Sequence, residues 1–222
     1  MIPILYVDEQ MVVCVKPAGV VSQDAGENSM PQLLARQLGV KTVYPIHRLD
    51  REVGGVMVYA LTQASASALS RAVQERRLNK VYLAVLSGTP EAPSAVLQDL
   101  LFHDKQKNKT YVVSRTRKGV KDASLDYQVL EQAGEWSLVR IQLHTGRTHQ
   151  IRVQFASRKL PLVGDGKYGG KASGVGLGLW SWQLEFPHPK TGKTMKFRQD
   201  PPENAPWNEF TAEKCLLALE TE

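Results

Sequence analysis

The chain has 222 residues, of which 42% are hydrophobic and 23% are charged, as in an ordinary globular protein. It is long enough for one sizeable hydrophobic core. No apolar run is long enough to span a bilayer, and positions 1–10 carry neither a basic stretch nor a cleavage site, which excludes membrane and secreted proteins. We therefore expect a cytoplasmic protein with no membrane partner.

Apolar and polar patterns predict five elements before Gly88: a strand at 12–15, a helix at 31–38, a strand at 55–61, a helix at 64–77 and a strand at 81–86. Pro31 opens the first helix and Gly39 stops it. In the second helix, Leu69 and Val73 share one face, so that face should be buried.

After Gly88 the pattern is mostly that of strands, at 96–102, 110–114, 123–130, 136–144, 180–186 and 195–198. Thr148 is a candidate N-cap for a helix at 148–157, and a helix at 207–219 closes the chain. Seven glycines among the fifteen residues 164–178 predict a loop. The sequence therefore predicts one α+β domain, 1–222, with a mixed, mostly antiparallel β-sheet and flanking helices.

The net charge of +6 is unevenly distributed. Residues 105–121 contain seven Lys or Arg and no acid, and residues 140–171 contain seven more with Asp165 as the single acid. Residues 200–222 carry six acids and only Lys214. Such segregation favours a basic face that binds a polyanion, most commonly a nucleic acid, although a basic enzyme without a polyanion is the alternative.

Asp50 is an isolated acid between Arg48 and Arg51, which favour its ionised form. A carboxylate held in this way serves as a nucleophile or as an electrostatic anchor. An acid in such a string is more often a surface ion pair or a helix cap. Gly54 and Gly55 favour catalysis, because glycine lets a backbone or a ligand approach closely just after the acid.

A second candidate segment runs from Thr145 to Arg152. A glycine before Arg147 predicts a tight strand-to-helix turn with free N–H groups at the helix start. A basic helix start on a solvated surface is the simpler interpretation. A metal site from His144 and His149 is disfavoured because neither Cys nor acidic ligands are nearby.

Lys80 and Tyr82 share one face of a predicted strand. A tyrosine there is ordinarily part of the core, but beside a cationic cleft it could stack on a nucleic-acid base. Cys14 and Cys215 lie among apolar neighbours, and we expect both to be buried, reduced thiols.

Five motifs occur in the order found in the RluA-type pseudouridine synthases, and the chain resembles this family over about residues 4–200. The motifs are Lys16-Pro17-Ala18-Gly19, His47-Arg48-Leu49-Asp50 with Gly55, Lys80-Val81-Tyr82-Leu83-Ala84 with Gly88, Thr145-Gly146-Arg147-Thr148-His149-Gln150-Ile151-Arg152, and Gly164-Asp165-Gly166-Lys167-Tyr168-Gly169. The resemblance implies a mixed β-sheet with a central cleft, and an isomerase that turns uridine in RNA into pseudouridine. The reaction involves neither redox change nor hydrolysis, so no cofactor and no metal are expected.

The resemblance also implies roles. Asp50 matches the essential aspartate, a covalent or ion-stabilising catalyst, and Arg152 matches the arginine that pairs with it. Tyr82 matches the tyrosine that stacks on the target base. Arg48 matches the residue that helps displace the target nucleotide, and Ile151 would line the pocket floor. We place four further residues among those that bind the substrate: His47, Lys80, Arg147 and His149.

The chain departs from the family pattern at two places. Members usually read Thr-Ser-Gly where this chain has Glu52-Val53-Gly54-Gly55, and a His where it has Gln154. These changes motivate a rival hypothesis, a catalytically silent RNA-binding or ribosome-assembly protein on the same scaffold. An aspartate-dependent glycosidase of small nucleosides is disfavoured, since retaining glycosidases normally use two carboxylates.

The N-terminal S4-type RNA-binding domain found in some relatives is expected to be absent. The catalytic domain itself would then bind the RNA, with residues 105–121 and 140–171 as contributors. We expect a monomer acting on ribosomal or transfer RNA.

Overall fold

The computed structural model describes residues 1–23, 26–170 and 174–211. Its strands are β1 Ile4–Val7, β2 Met11–Lys16, β3 Tyr44–Pro45, β4 Gly54–Ala60, β5 Asn79–Ser87, β6 Ser94–Asp104, β7 Lys109–Val113, β8 Val120–Ala133, β9 Trp136–Leu143, β10 Leu179–Pro187 and β11 Thr194–Arg198. Its helices are α1 Met30–Leu38, α2 Gln63–Gln74 and α3 Gln150–Ala156, with a 3₁₀ turn at Trp207–Glu209. The described residues form two compact units.

The first unit comprises Met1–Val81 and Trp180–Pro201. Within it β1 pairs with β2, β2 with β4, β3 with β4 and β10 with β11, all antiparallel. β10 runs parallel to β4. The core lies where β2, β4 and β10 meet α2, and it includes the fully buried Val13, Val58, Leu69 and Leu184.

The second unit comprises Tyr82–Leu179 and the described residues from Pro202 onward. β9, β8, β6 and β7 follow one another as antiparallel neighbours. Val153 of α3 packs on Leu101 of β6 and Ala123 of β8, so α3 covers one face of these strands.

The mixed, mostly antiparallel sheet with flanking helices is confirmed. The central cleft and the single catalytic domain stay predictions. α1 begins with a proline in its first turn and ends at Gly39 in the left-handed conformation, as expected. α2 ends three residues before the predicted end, because Arg76 adopts a positive φ of 57°. Cys14 is buried, and burial raises the pKa of its thiol to about 12.

Cys215 and most of the predicted C-terminal helix lie outside the described residues. The glycine-rich loop is confirmed at 164–170 and 174–178, where the chain forms turns. No helix among the residues that the structure describes is long and apolar enough to cross a membrane.

The carboxylate of Asp8 joins the β1–β2 turn to the β10–β11 turn through hydrogen bonds. Asp8 accepts hydrogen bonds from the amides of Gln10 and Met11, from the Tyr6 hydroxyl at 3.0 Å and from His188 Nε2 at 2.8 Å. Two backbone N–H groups of the second turn donate to His188 Nδ1, so Nε2 carries the proton. Burial raises the pKa of Asp8, but these hydrogen bonds outweigh it and lower the pKa to about 2.

Replacement Asp8→Asn should lower the free energy of unfolding at neutral pH by about 1–2 kcal/mol, because hydrogen bonds to a charged acceptor are lost. The folded-state pKa lies below the ordinary 3.8, so the stabilisation by Asp8 is present above that value and is lost as the pH falls towards about 2. Denaturant unfolding over a pH series should therefore show the wild type approaching the variant in acid. Glu9→Gln, an exposed neighbour, is the control, and a pH-independent difference for Asp8→Asn would contradict the prediction.

Candidate active site

Lys16, the last residue of β2, is fully buried although it carries a charge. Its ammonium donates to three backbone carbonyls, those of Pro17 at 2.9 Å, Val20 at 2.7 Å and Arg51 at 3.0 Å. An ammonium has three hydrogens, so these bonds use its full donor capacity. Lys16 thus joins the loop after β2 to the loop that carries Asp50.

A second set of bonds joins the same two loops. The amide of Gly19 donates to the Arg51 carbonyl at 2.8 Å, and Arg51 Nε donates back to the Gly19 carbonyl at 2.9 Å. The amide of Val53 donates to the Asp50 carbonyl at 3.1 Å and closes a turn. Arg51 therefore contributes to the loop structure through its own side chain.

The residue before Asp50 is fixed as well. Ser22 Oγ donates to the Leu49 carbonyl at 2.8 Å and accepts from the Leu49 amide at 3.1 Å. The buried hydroxyl of Tyr59 donates to the Ser22 carbonyl at 2.9 Å. With its backbone held on both sides, half-buried Asp50 has a defined place in the first unit.

Asp50 and Glu52 also act on the charge of Lys16. Burial lowers the pKa of Lys16 to about 8, and the negative charges of Glu52 and Asp50 oppose that effect. Lys16 therefore provides a positive charge near Asp50 below that pH.

Gly54 and Gly55 are required by a neighbouring strand. A Cβ at Gly54 would lie 2.4 Å from the Trp180 ring, and one at Gly55 would lie 2.2 Å from the Ser181 carbonyl oxygen. Gly55 also has a φ of +119°, a conformation that side chains disfavour. The close approach expected after Asp50 is thus made by the backbone of β10. The Trp180 ring occupies the space that the side chain of a serine at position 54 would need.

His47 and Lys80 both belong to the first unit, and their charges interact. His47 is buried, and its Nε2 accepts a hydrogen bond from the Val58 amide at 3.3 Å. Burial, and secondly the charge of Lys80, lower the pKa of His47 well below its usual value, so the imidazole is neutral. Burial also lowers the pKa of Lys80, which is half-buried. Arg48, between His47 and Asp50, is exposed.

In the second unit, Gln150 organises the turn before α3. Its side-chain oxygen accepts from the Arg147 amide at 3.0 Å and from the Thr145 hydroxyl at 2.8 Å, and its Nε2 donates to the Ser124 carbonyl. The Gln150 amide donates to the Arg147 carbonyl. The expectation of free N–H groups is therefore wrong for these two residues, since the turn itself uses them.

The predicted helix start is also corrected. α3 begins at Gln150, and its N-cap is His149 with a positive φ of 54°, not Thr148. The Thr148 carbonyl accepts a hydrogen bond from the Thr110 hydroxyl at 2.8 Å, which ties the preceding turn to β7. The tight turn thus extends one residue further than local capping preferences predict.

Arg152 is buried in α3 and forms a two-pronged ion pair with fully buried Asp165. Its Nε lies 2.7 Å from Asp165 Oδ2, and its Nη2 lies 2.8 Å from Oδ1. The guanidinium carbon is also 5.2 Å from the centre of the Tyr168 ring, within range of a cation–π interaction. Asp165 and Tyr168 together fix both the plane and the position of the Arg152 head group.

The Tyr168 hydroxyl connects this arginine to His149. It accepts from the Thr110 amide at 2.7 Å and lies 2.9 Å from His149 Nδ1. His103 Nδ1 contacts the Thr110 hydroxyl at 3.1 Å, which extends the network to β6. Burial raises the pKa of Tyr168, so its hydroxyl stays protonated at neutral pH.

The other predicted residues of the second unit differ in burial and in partners. Tyr82 and Ile151 are buried, with 5% and 4% of their surface exposed. Arg147 Nε donates to the Asp122 carbonyl at 2.8 Å. His144 is exposed and pairs with Asp126, and no metal-binding cluster occurs within residues 1–23, 26–170 and 174–211.

Gln154, one of the two departures from the family pattern, is fully buried. Its Nε2 donates to Asp99 Oδ2 at 2.8 Å, and that carboxylate also pairs with Arg158. This substitution therefore serves contacts within the second unit.

The candidate residues fall into two groups. His47, Arg48, Asp50 and Lys80 belong to the first unit, and Tyr82, Arg147, His149, Ile151 and Arg152 belong to the second. Within the second group the network at Tyr168 joins His149 to Arg152. The pairing of Arg152 with Asp50 stays a prediction.

Comparison with known proteins decides the family. The model of the RNA pseudouridylate synthase family matches residues 10–157, which include four of the five motifs. The chain belongs to this family. The resemblance to its RluA-type members, drawn from the order of the motifs, is confirmed.

Several relatives align along most of the chain. An uncharacterized RNA pseudouridine synthase of Mycoplasma pneumoniae is 34% identical over 200 residues, 87% of this chain and 65% of that protein. The ribosomal large subunit pseudouridine synthase D of Pseudomonas aeruginosa is 32% identical over 226 residues, 92% of this chain and 69% of that protein. The chain thus spans about two-thirds of the length of these relatives.

A solved structure supports the same fold. Human RNA pseudouridylate synthase domain containing 4 superposes with a TM-score of 0.76 at 25% identity, over 90% of this chain and 88% of that one.

Two residues with a clear part in this network have no role predicted from the sequence. Asp165 and Tyr168 lie in the last motif, and they are the residues that hold Arg152. A signal for Asp165 existed, because it is the single acid among the seven basic residues of 140–171. An acid in such surroundings is a candidate for pairing with a buried arginine.

Proposed function

We propose that this chain isomerises uridine to pseudouridine in ribosomal RNA. The proposal is supported by its family and by relatives named as synthases of the large ribosomal subunit. The observation that carries it is the fixed backbone around Asp50, where Lys16, Gly19 and Ser22 bind the residues on either side. Such rigidity is what a catalytic carboxylate needs, since small displacements of a reacting group are costly in rate.

In the reaction, the bond between N1 of uracil and C1′ of ribose breaks, the base turns, and a bond from C5 to C1′ forms. The C5 proton is lost and N1 gains a proton, so the product is an isomer of the substrate. We assign Asp50 as the essential carboxylate, either as the nucleophile or as the stabiliser of positive charge at C1′. Tyr82 stacks on the base, Ile151 lines its pocket, and Arg48, exposed beside Asp50, displaces the target nucleotide.

We further assign Arg152 as a catalytic residue whose position depends on Asp165. Replacement Asp165→Asn should lower kcat by about 10²-fold, since an amide cannot hold both nitrogens of the guanidinium and Arg152 would move. KM should change little, because the surface that binds RNA is untouched. Steady-state formation of pseudouridine in RNA measures both constants.

Asp99→Asn is the matched control, because Asp99 pairs with Arg158 of the same unit in a similar two-pronged way. This control should keep kcat within about threefold of the wild type. A kcat for Asp165→Asn equal to that of the control would rule out the assigned role of Asp165.

Mapping of pseudouridines tests the proposed function. Ribosomal and transfer RNA from cells with and without the gene should differ at one or more uridines of ribosomal RNA. A site in transfer RNA alone would replace the proposed substrate. Unchanged maps, together with RNA binding by the purified protein, would favour the catalytically silent RNA-binding protein instead.

We also propose that the protein works in the cytoplasm as a monomer and without a metal. It would bind RNA through the basic segments 105–121 and 140–171, with Arg147 and His149 beside Arg152. Light scattering of the purified protein, with and without RNA, tests the monomer.

A further inference from the structure

The strands of the second unit have one face under α3 and one face open to solvent. Leu101 of β6 and Ala123 of β8 point to the covered face, where α3 packs on them. Successive side chains of a strand point to opposite faces, so Phe102 belongs to the open face. Tyr111 of β7 lies directly opposite Phe102 in the antiparallel pair and shares that face. Tyr111 is 37% exposed, and Val96, on the same side of β6, is 58% exposed.

An arginine is held over Phe102 on this open face. The Val120 amide donates to the Arg117 carbonyl at 3.0 Å, which closes a turn in which Gly119 has a φ of +88°. Val120 pairs with Phe102, so the turn lies beside that residue. The guanidinium carbon of Arg117 is 4.6 Å from the centre of the Phe102 ring, within range of a cation–π interaction.

The exposed head group of Arg117 keeps its hydrogen-bonding capacity for a ligand. In the described parts of the chain, its guanidinium makes neither a hydrogen bond nor an ion pair. A guanidinium carries five N–H donors in one plane, and this geometry matches the oxygens of a phosphate. The Phe102 ring thus supports a group that is suited to an anion.

The charge around the open face favours RNA as that ligand. Six of the seven basic residues of 105–121 are exposed: Lys105, Lys107, Arg115, Arg117, Lys118 and Lys121. Asp122 is an exposed acid on the same face, but Arg147 Nε donates to its carbonyl, which places a second guanidinium beside it. Unpaired RNA offers both a base, which stacks on an aromatic ring, and a phosphate, which binds an arginine.

We propose that Tyr111 and Arg117 bind one unpaired nucleotide of the RNA substrate, outside the target uridine. The base stacks on the exposed Tyr111 ring, and Arg117, supported by Phe102, binds the phosphate. This inference rests on the proposed function, which makes RNA the substrate. Because every base has a face that can stack, such a site selects single-stranded RNA over a duplex without reading the base.

The site lies close to a residue assigned to the substrate. Arg147 donates to the carbonyl of Asp122, two residues along β8 from Val120. Two residues of a strand span about 7 Å. The unpaired nucleotide would therefore lie near the part of the RNA that Arg147 binds.

Tyr111→Leu tests the stacking contact, because leucine keeps an apolar side chain and removes the ring. The Kd for a short oligouridine should rise about tenfold, whereas the Kd for an RNA duplex of the same length should stay within about twofold. Tyr111→Phe should keep the affinity for oligouridine, since the ring remains. Val96→Ala is the matched control, because it removes exposed apolar surface from the same face and should change neither Kd.

Arg117→Gln tests the phosphate contact. The slope of log Kd for oligouridine against log salt concentration should become shallower by about 0.7, the value for one phosphate of a single strand. Lys193→Gln removes one exposed positive charge outside both basic segments, and it should leave this slope unchanged. An unchanged slope for Arg117→Gln would overturn the assignment of Arg117.

Three further outcomes decide the proposal. Wild-type affinity of Tyr111→Leu for oligouridine would overturn it and leave the open face to a protein partner, and equal losses on single strand and duplex would also overturn it. A wild type that isomerises ribosomal RNA, but whose oligouridine binding does not depend on Tyr111, would refute this site alone. Binding that depends on Tyr111 in a protein that modifies no RNA would refute the proposed function alone.

Discussion

Replacement Asp50→Asn should reduce the formation of pseudouridine by at least about 10³-fold. Asparagine has the same shape but no charge, so it serves neither as a nucleophile nor as a stabiliser of positive charge at C1′. The hydrogen bond from the Val53 amide to the carbonyl of residue 50 remains possible, and the loops joined by Lys16 should keep their structure. The measurement is the release of pseudouridine from digested RNA after incubation with each enzyme.

Two comparisons separate a chemical from a structural effect of this replacement. Filter binding of the same RNA should give a Kd within about threefold of the wild type, because one charge among many is changed. Glu52→Gln, which removes an exposed acid two residues away, should keep nearly full activity. Normal turnover by Asp50→Asn would show that the essential carboxylate has been assigned wrongly.

Replacement Gly55→Ala should destabilise the first unit by about 4 kcal/mol, an unusually large effect for one methyl group. The added Cβ would lie 2.2 Å from the Ser181 carbonyl oxygen and 2.6 Å from the Ser181 amide nitrogen. Both are backbone atoms of β10, so no side-chain rotation relieves the contact. The φ of +119° adds a further cost. Denaturant unfolding measures the loss.

Gly192→Ala is the control, because Gly192 also has a positive φ, of +71°, but has no atom within 4 Å of an added Cβ. This variant should lose only about 1 kcal/mol, the cost of the backbone conformation alone. Equal losses for the two variants would mean that the approach of β10 does not explain the need for Gly55.

The two departures from the family pattern acquire different explanations from their surroundings. The small residue Gly54 is matched by the Trp180 ring, which would collide with a Cβ there. Gln154 binds Asp99, which itself pairs with Arg158. Each of these contacts lies within a single unit, and neither argues for a silent protein.

Local patterns were sufficient for elements whose signals lie within a few residues. The proline and glycine at the ends of α1 are such signals, because capping preferences act within one helical turn. They failed at α3, where the turn depends on bonds from Gln150 to Ser124 and from Thr148 to Thr110, partners far away in sequence. Local patterns also did not predict the positive φ of Arg76, which follows the end of α2.

The sequence by itself determined the family, because the order of five motifs is a property of the chain, and it determined the mixed, mostly antiparallel sheet. It also singled out Asp50 and Arg152 as candidates for catalysis. Only the tertiary structure decided that the Lys16 ammonium donates a hydrogen bond to the loop that carries Asp50. It also decided that the close approach of β10 requires glycine at position 55, and that Asp165 forms the ion pair that positions Arg152. The physical reason is that the energetic effect of a buried charge, or of a glycine without a side chain, depends on the atoms around it. Those atoms come from distant parts of the chain.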